Sequence, residues 1–229
     1  MVKTVVIVCT SAGELQGHPT GLWLEELATP YYLFLEQGYN IVVASPAGGA
    51  VPIDKNSLGD GFFTNAAKQF LHDAEAVDRL SHTVILSSID FTTGLVDALY
   101  LTGGHGTCVD FVNNPILQAA IESMYVAGHV VAADCHGPIG LAECNKADGT
   151  PLVAGLVVTG FSDTEEDAVQ LTSVVPFLIE TRFKELGAEY EKSNDWNPKV
   201  CIDGMLVTGQ NPQSSEDCAK AVISLLGKL

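Results

Sequence analysis

Residues 130–138 read Val-Val-Ala-Ala-Asp-Cys-His-Gly-Pro, and the fold turns on them. Val130–Ala133 is a short apolar run without polar alternation. Such runs mark strands covered on both faces, and hence a parallel sheet lying between helices. The run leads almost directly into Cys135, with small residues two places away on either side, Ala133 and Gly137. A nucleophile elbow needs this: a strained strand-to-helix turn lifts one side chain out and tolerates little bulk beside it. Pro138 suits the first turn of a following helix, whose unpaired N–H groups would favour a thiolate at Cys135. On spacing alone an ordinary buried cysteine fits as well.

The same alternation extends to both sides. Val5–Val8, Asn40–Ala44, Thr83–Ser87, Ala98–Leu101, Leu156–Val158, Cys201–Ile202 and Leu206–Thr208 read as strands. Helical spacing predicts helices over Gly21–Gln37, with Leu24, Leu27, Tyr31, Phe34 and Leu35 on one face, and over Pro115–Ala127, Val174–Leu186 and Ser215–Leu226. A polar, glycine-bearing excursion at 49–81 holds one further helix near Ala66–Leu80, and Asp203-Gly204 is a hairpin signal. No repeat or linker interrupts the pattern, so one α/β domain is expected over residues 1–229.

The chain has 229 residues and a formal charge of −17, a field that repels phosphate backbones and excludes nucleic-acid binding through a basic surface. The longest apolar runs, Val5–Cys9 among them, are far too short to cross a bilayer. Six cysteines, at 9, 108, 135, 144, 201 and 218, show no CxxC pair, and the start Met-Val-Lys has no leader-like apolar region. Reduced thiols in a cytoplasmic enzyme, without a structural zinc, are the expectation.

Ligands of open parallel sheets bind outside the carboxyl ends of the strands. Leu101-Thr102-Gly103-Gly104-His105-Gly106 leaves one such end beside the Cys135 segment. Gly103 and Gly104 let backbone N–H groups approach a bound oxygen, an oxyanion hole completed by the N–H after Cys135; a plain tight turn reads equally well. His105 is read as a wall of the pocket, and no histidine has metal-ligand spacing. His136 is a candidate base, weakened because neighbouring side chains usually diverge.

Ala132–Gly140 (AADCHGPIG), GGHGTCVDF at 103–111, TGLWLEE at 20–26, GFSDTEE at 160–166 and DGMLVTGQNPQS at 203–214 together resemble the ThiJ/PfpI superfamily, closest to its subgroup of heat-shock chaperone homologues and glutathione-independent glyoxalases (glyoxalase III). The resemblance covers nearly the whole chain. It implies a flavodoxin-like three-layer sandwich with Cys135 as nucleophile, His136 beside it, Glu26 next to the sulfur, and Glu166 orienting the histidine. Glu25 competes with Glu26, and Glu165 and Asp163 with Glu166. A homodimer without cofactor or metal is implied too. The histidine after the cysteine separates this chain from the neuroprotective members, which carry a small residue there.

The activity so implied is that of a glyoxalase III-type lyase turning methylglyoxal or a similar 2-oxoaldehyde into the 2-hydroxy acid through a cysteine hemithioacetal, with a thiolate well populated below neutral pH. Alternatives are a cysteine-dependent amidohydrolase, peptidase or deglycase, and a stress-linked holdase chaperone working through an apolar patch.

Overall fold

The computed structural model describes residues 2–228; Met1 and Leu229, the ends of the expected domain, lie outside the described residues. Among these, seven strands form one sheet: β1 (Thr4–Val8), β2 (Asn40–Ser45), β3 (Val84–Ile85), β4 (Ala98–Leu101), β5 (Val130–Asp134), β6 (Val200–Asp203) and β7 (Leu206–Gly209). Their order is β6-β7-β5-β4-β1-β2-β3. All neighbours are parallel except the β6–β7 hairpin, which turns at Gly204-Met205, one residue beyond the Asp203-Gly204 signal.

Side chains alternate across the pleat and divide the core in two. Val5, Ile7 and Tyr100 face one side, where α1 (Glu25–Glu36), α2 (Asn65–His72) and α3 (Ala74–Ser81) pack. Val6, Val8, Leu99 and Leu101 face the other, under α4 (Pro115–Val126). The chain continues through α5 (Asp163–Ala168), α6 (Ile179–Glu185) and α7 (Ser215–Leu226). Ile179 and Phe183 of α6 join the α4 side, and Ala219 and Val222 of α7 the α1 side. The result is the α/β three-layer sandwich that the continuous apolar strands require.

α1 carries Pro30 in its interior, which removes one ladder hydrogen bond and costs about 3 kcal/mol. Leu27 and Phe34 on the same helix are fully buried, each contributing about 1.5–3 kcal/mol. Packing outweighs the break, and the helix holds Glu26 in place.

Several boundaries differ from the sequence pattern. The first helix starts at Glu25 rather than Gly21, because Leu22 bridges to Ile53 and its N–H binds Pro52 O. Leu35, expected on the buried face, is 49% exposed. The helix near Ala66–Leu80 is two, split by Asp73, whose carboxylate caps α3. The strand over Thr83–Ser87 shortens to β3 and passes into a 3-10 turn. Leu156–Val158 stays outside the main sheet: Val157–Val158 pairs with Glu189–Tyr190. The helix over Val174–Leu186 begins only at Ile179; Pro176 disfavours helical backbone at Val175 before it. No helix among the described residues is long and apolar enough to cross a membrane.

Candidate active site

β1 lies between β2 and β4, so the chain reverses its direction of growth across the sheet there, and the crevice at the carboxyl ends of β4 and β5 lies beside that switch point. Cys135 follows β5 with φ +54, a left-handed conformation rare outside glycine. Its N–H still donates to Gly209 O (3.0 Å), and its carbonyl accepts from Phe161 N (2.8 Å). The residue is therefore held from both sides in a strained geometry of the kind that gathers at functional sites. Gly137 is obligatory beside it: a Cβ there would lie 2.3 Å from Leu101 O. The helix expected after the elbow is only a 3-10 turn, Gly137–Leu141.

The left-handed turn brings neighbouring side chains together where divergence was expected. Cys135 Sγ lies 3.4 Å from His136 Nδ1. On the far side of the ring, His136 Nε2 is 2.8 Å from Glu166 Oε2, and His105 Nε2 is 2.8 Å from Glu166 Oε1. With one carboxylate oxygen facing each imidazole, both Nε2–H groups donate, which leaves the His136 Nδ1 lone pair toward the thiol. Burial, aided by His105, holds the His136 imidazole below its ordinary value of 6.5 against the upward pull of Glu166. Burial pushes Glu166 up, but His136 and His105 overcome it and bring the carboxyl down to about 2. At neutral pH the unit is thus a neutral imidazole backed by a carboxylate.

The three acids Asp163, Glu165 and Glu166 divide cleanly. Asp163 accepts from Thr181, and Glu165 is a buried acceptor for Ser162, Trp196, Gln210 and Asn211; only Glu166 meets the histidines. On α1, Glu25 turns to Thr29 and Thr64. Glu26 is fully buried and accepts from Gly103 N–H at 2.6 Å. A Cβ at Gly103 would lie 2.6 Å from both Glu26 Oε2 and His136 N. That glycine lets the acid, the loop amide and the elbow converge.

Burial, and then the charge of Asp134, push the Glu26 carboxyl well above the usual range. Its Oε1 has no hydrogen-bond partner among the described residues, and the Cys135 thiol is a neighbour that bears on its protonation. Burial also pushes that thiol up, as do charged Glu26 and Asp134, while the Gly104 N–H opposes them. The charge of each group disfavours that of the other. The expectation of a free-standing thiolate below neutrality is corrected accordingly. The five-residue turn behind Cys135 supplies too little to offset burial.

Cys135 is 3% exposed but forms the floor of a cavity of about 530 Å³, with Gly104, His105 and His136 also in its lining. Trp23, Phe62, Phe161 and Trp196 wall it. No sequence pattern marks these aromatics as a group, because they come from four separate segments. Asp134, at the end of β5, carries no sequence signal either; buried and accepting from Tyr100 and Ser215, it is pushed up to about 7 by burial. Linear spacing likewise hides a donor set: His105, His136 and Glu166 offer atoms within 4.8 Å of one another, a grouping that could hold a metal ion. All six cysteines are free.

The DJ-1/PfpI family model matches residues 20–225. Glyoxalase 3 of Candida albicans is 31% identical over 98% of this chain and 98% of its own length. The glutathione-independent glyoxalase HSP31 of Saccharomyces cerevisiae is 28% identical over 98% of each. The crystal structure of glyoxalase III from Candida albicans matches with a TM-score of 0.88 at 29% identity, covering 97% of both chains.

Proposed function

The chain belongs to the DJ-1/PfpI family, and from that premise we propose that it is a glutathione-independent glyoxalase, converting a 2-oxoaldehyde such as methylglyoxal to the 2-hydroxy acid. The observation that carries this reading is the line Cys135 Sγ–His136 Nδ1–Glu166 on a cavity floor, with Glu26 beside the sulfur. The thiol gives its proton to His136 Nδ1 as sulfur attacks the aldehyde carbon, forming a C–S bond and a hemithioacetal. The N–H groups of Gly104 and His136 stabilise the developing oxyanion. The imidazolium returns its proton to that oxygen, which completes the hemithioacetal and frees the base; His136, or Glu26 in its ionised form, then takes the proton from C1, and one is delivered to C2 through an enediolate. The aldehyde carbon is oxidised and the ketone carbon reduced, so no outside oxidant is needed. Water then cleaves the thioester, releasing the 2-hydroxy acid and restoring the thiol.

Purified protein given methylglyoxal without added thiol is expected to form lactate. Equal lactate from wild type and Cys135→Ala would end the proposal. An imidazole between a thiol and a carboxylate also suits amide hydrolysis; an acyl-enzyme from an amide, with amides preferred to oxoaldehydes, would favour that second reading. We also propose one domain over 1–229, a cytoplasmic location, supported by six free thiols, and a homodimer, supported by the family likeness. A monomer mass by light scattering would remove the dimer.

A further inference from the structure

Trp196 has φ +62, a genuine outlier for a bulky side chain. Two bonds to buried groups impose it. Trp196 N–H donates to Glu165 Oε1 (2.9 Å), and Asn211 Nδ2 bridges the same oxygen (2.8 Å) to Asn197 O (2.8 Å). Glu165 and Asn211 are fully buried. The strained backbone holds a ring that is 37% exposed and packs its edge region on Phe161, centroids 5.9 Å apart, while Phe161 lies over His136 at 4.3 Å. Also lining the cavity, Trp23 and Phe62 meet edge to face at 5.1 Å. A single exposed tryptophan needs no explanation, but one locked into strain against a reactive cavity does.

The cavity is also large for the substrate named above. At about 530 Å³ it falls within the range of about 300–1,000 Å³ that encloses most of a drug-sized ligand. A three-carbon oxoaldehyde leaves most of the aromatic wall untouched. We propose that the site selects 2-oxoaldehydes bearing an aromatic or similarly bulky apolar group, with the reactive carbonyl on Cys135 and the group against Trp196, which sets the specificity. This rests on the glyoxalase reading. The chemistry stays balanced: phenylglyoxal plus water gives mandelate as methylglyoxal plus water gives lactate.

The test measures kcat/KM for phenylglyoxal and methylglyoxal with wild type, Trp196→Ala and Cys135→Ala. The wild-type ratio is expected to favour phenylglyoxal on the order of tenfold, and Trp196→Ala to lower that ratio by about as much. Intrinsic reactivity of the two aldehydes cancels between variants. A wild-type ratio at or below one, or a ratio that Trp196→Ala does not lower, overturns the inference and leaves the glyoxalase reading standing. Neither product from wild type, or equal turnover by Cys135→Ala, overturns both. Should Trp196→Ala fail to fold, Trp196→Leu, which keeps apolar bulk and removes the indole, is expected to lower the ratio in its place, and an unchanged ratio there overturns the inference equally.

Discussion

Cys9 and Cys135 each follow the last residue of a parallel strand, and each continues the ladder by one bond, to Ala44 O (2.9 Å) and Gly209 O (3.0 Å). Both are buried and neither is acidified by its surroundings. Burial pushes Cys9 up to about 12 despite a hydrogen bond from Thr102, and burial pushes Cys135 up as well. What separates them is backbone and company. Cys9 joins Val5 and Ile7 in the core, whereas Cys135 takes φ +54, faces a cavity and has an imidazole nitrogen at 3.4 Å. The difference teaches that a reactive thiol here is defined by having somewhere to send its proton and room for an electrophile, more than by resting acidity.

The largest expected effect tests that contrast directly. Cys135→Ala is expected to lower kcat/KM for methylglyoxal by at least about a thousandfold. Cys9→Ala should leave it within about threefold and cost about 1 kcal/mol of stability through the small cavity created. Paired kinetics and denaturant melts check both. Comparable activity losses would erase the distinction between the two strand ends.

Smaller effects come from the backbone that makes the distinction. Gly137→Ala places a Cβ 2.3 Å from a backbone carbonyl, and overpacking of that kind costs about 1–3 kcal/mol. Its melt should fall accordingly. Gly103→Ala meets Glu26 Oε2 and His136 N at 2.6 Å each and Asp134 O at 2.9 Å, so its loss should appear in kcat as well as in the melt. A Gly103→Ala variant with normal kcat would mean that Glu26 need not approach the elbow closely.

Much of this is legible in the sequence, and the reason is local. Continuous runs such as Val5–Val8 and Val130–Ala133 report two-sided burial by themselves, and Ala133–Gly137 reports an elbow through residue size. Choosing Glu26 over Glu25 is another matter, since adjacent helix positions differ only in which way the helix is turned, and packing decides that. The same holds for Glu166 against Glu165 on α5. The convergence of Cys135 and His136 is hidden because it follows from one left-handed φ at a non-glycine residue, which residue type does not announce. The sharing of Glu166 by His105 and His136 joins three distant segments, and no spacing rule reaches across them. The aromatic walls are unreadable for the same reason.

The comparison sharpens further in the pH dependence, where Cys135 has a partner to titrate and Cys9 has none. If His136 accepts the thiol proton it must be neutral, so kcat/KM should rise with pH through the imidazole's own value. Burial and His105 hold that value below 6.5, so the acid limb of the wild-type profile is expected below 6.5. The surrounding charges act with opposite sign. Glu166 and, more weakly, Glu165 favour the imidazolium, whereas His105 disfavours it. Glu166→Gln removes a negative charge and should move the limb to lower pH. His105→Gln removes the neighbour that disfavours the imidazolium while keeping a donor for Glu166, and should move it to higher pH. The rate of Cys135 alkylation should follow the same shifts, and Cys9 should show none of them. Opposed shifts would identify the imidazole as the proton acceptor, because no purely structural defect in the two variants predicts displacements of opposite sign. Shifts in one direction, or none, would remove His136 from the proton transfer.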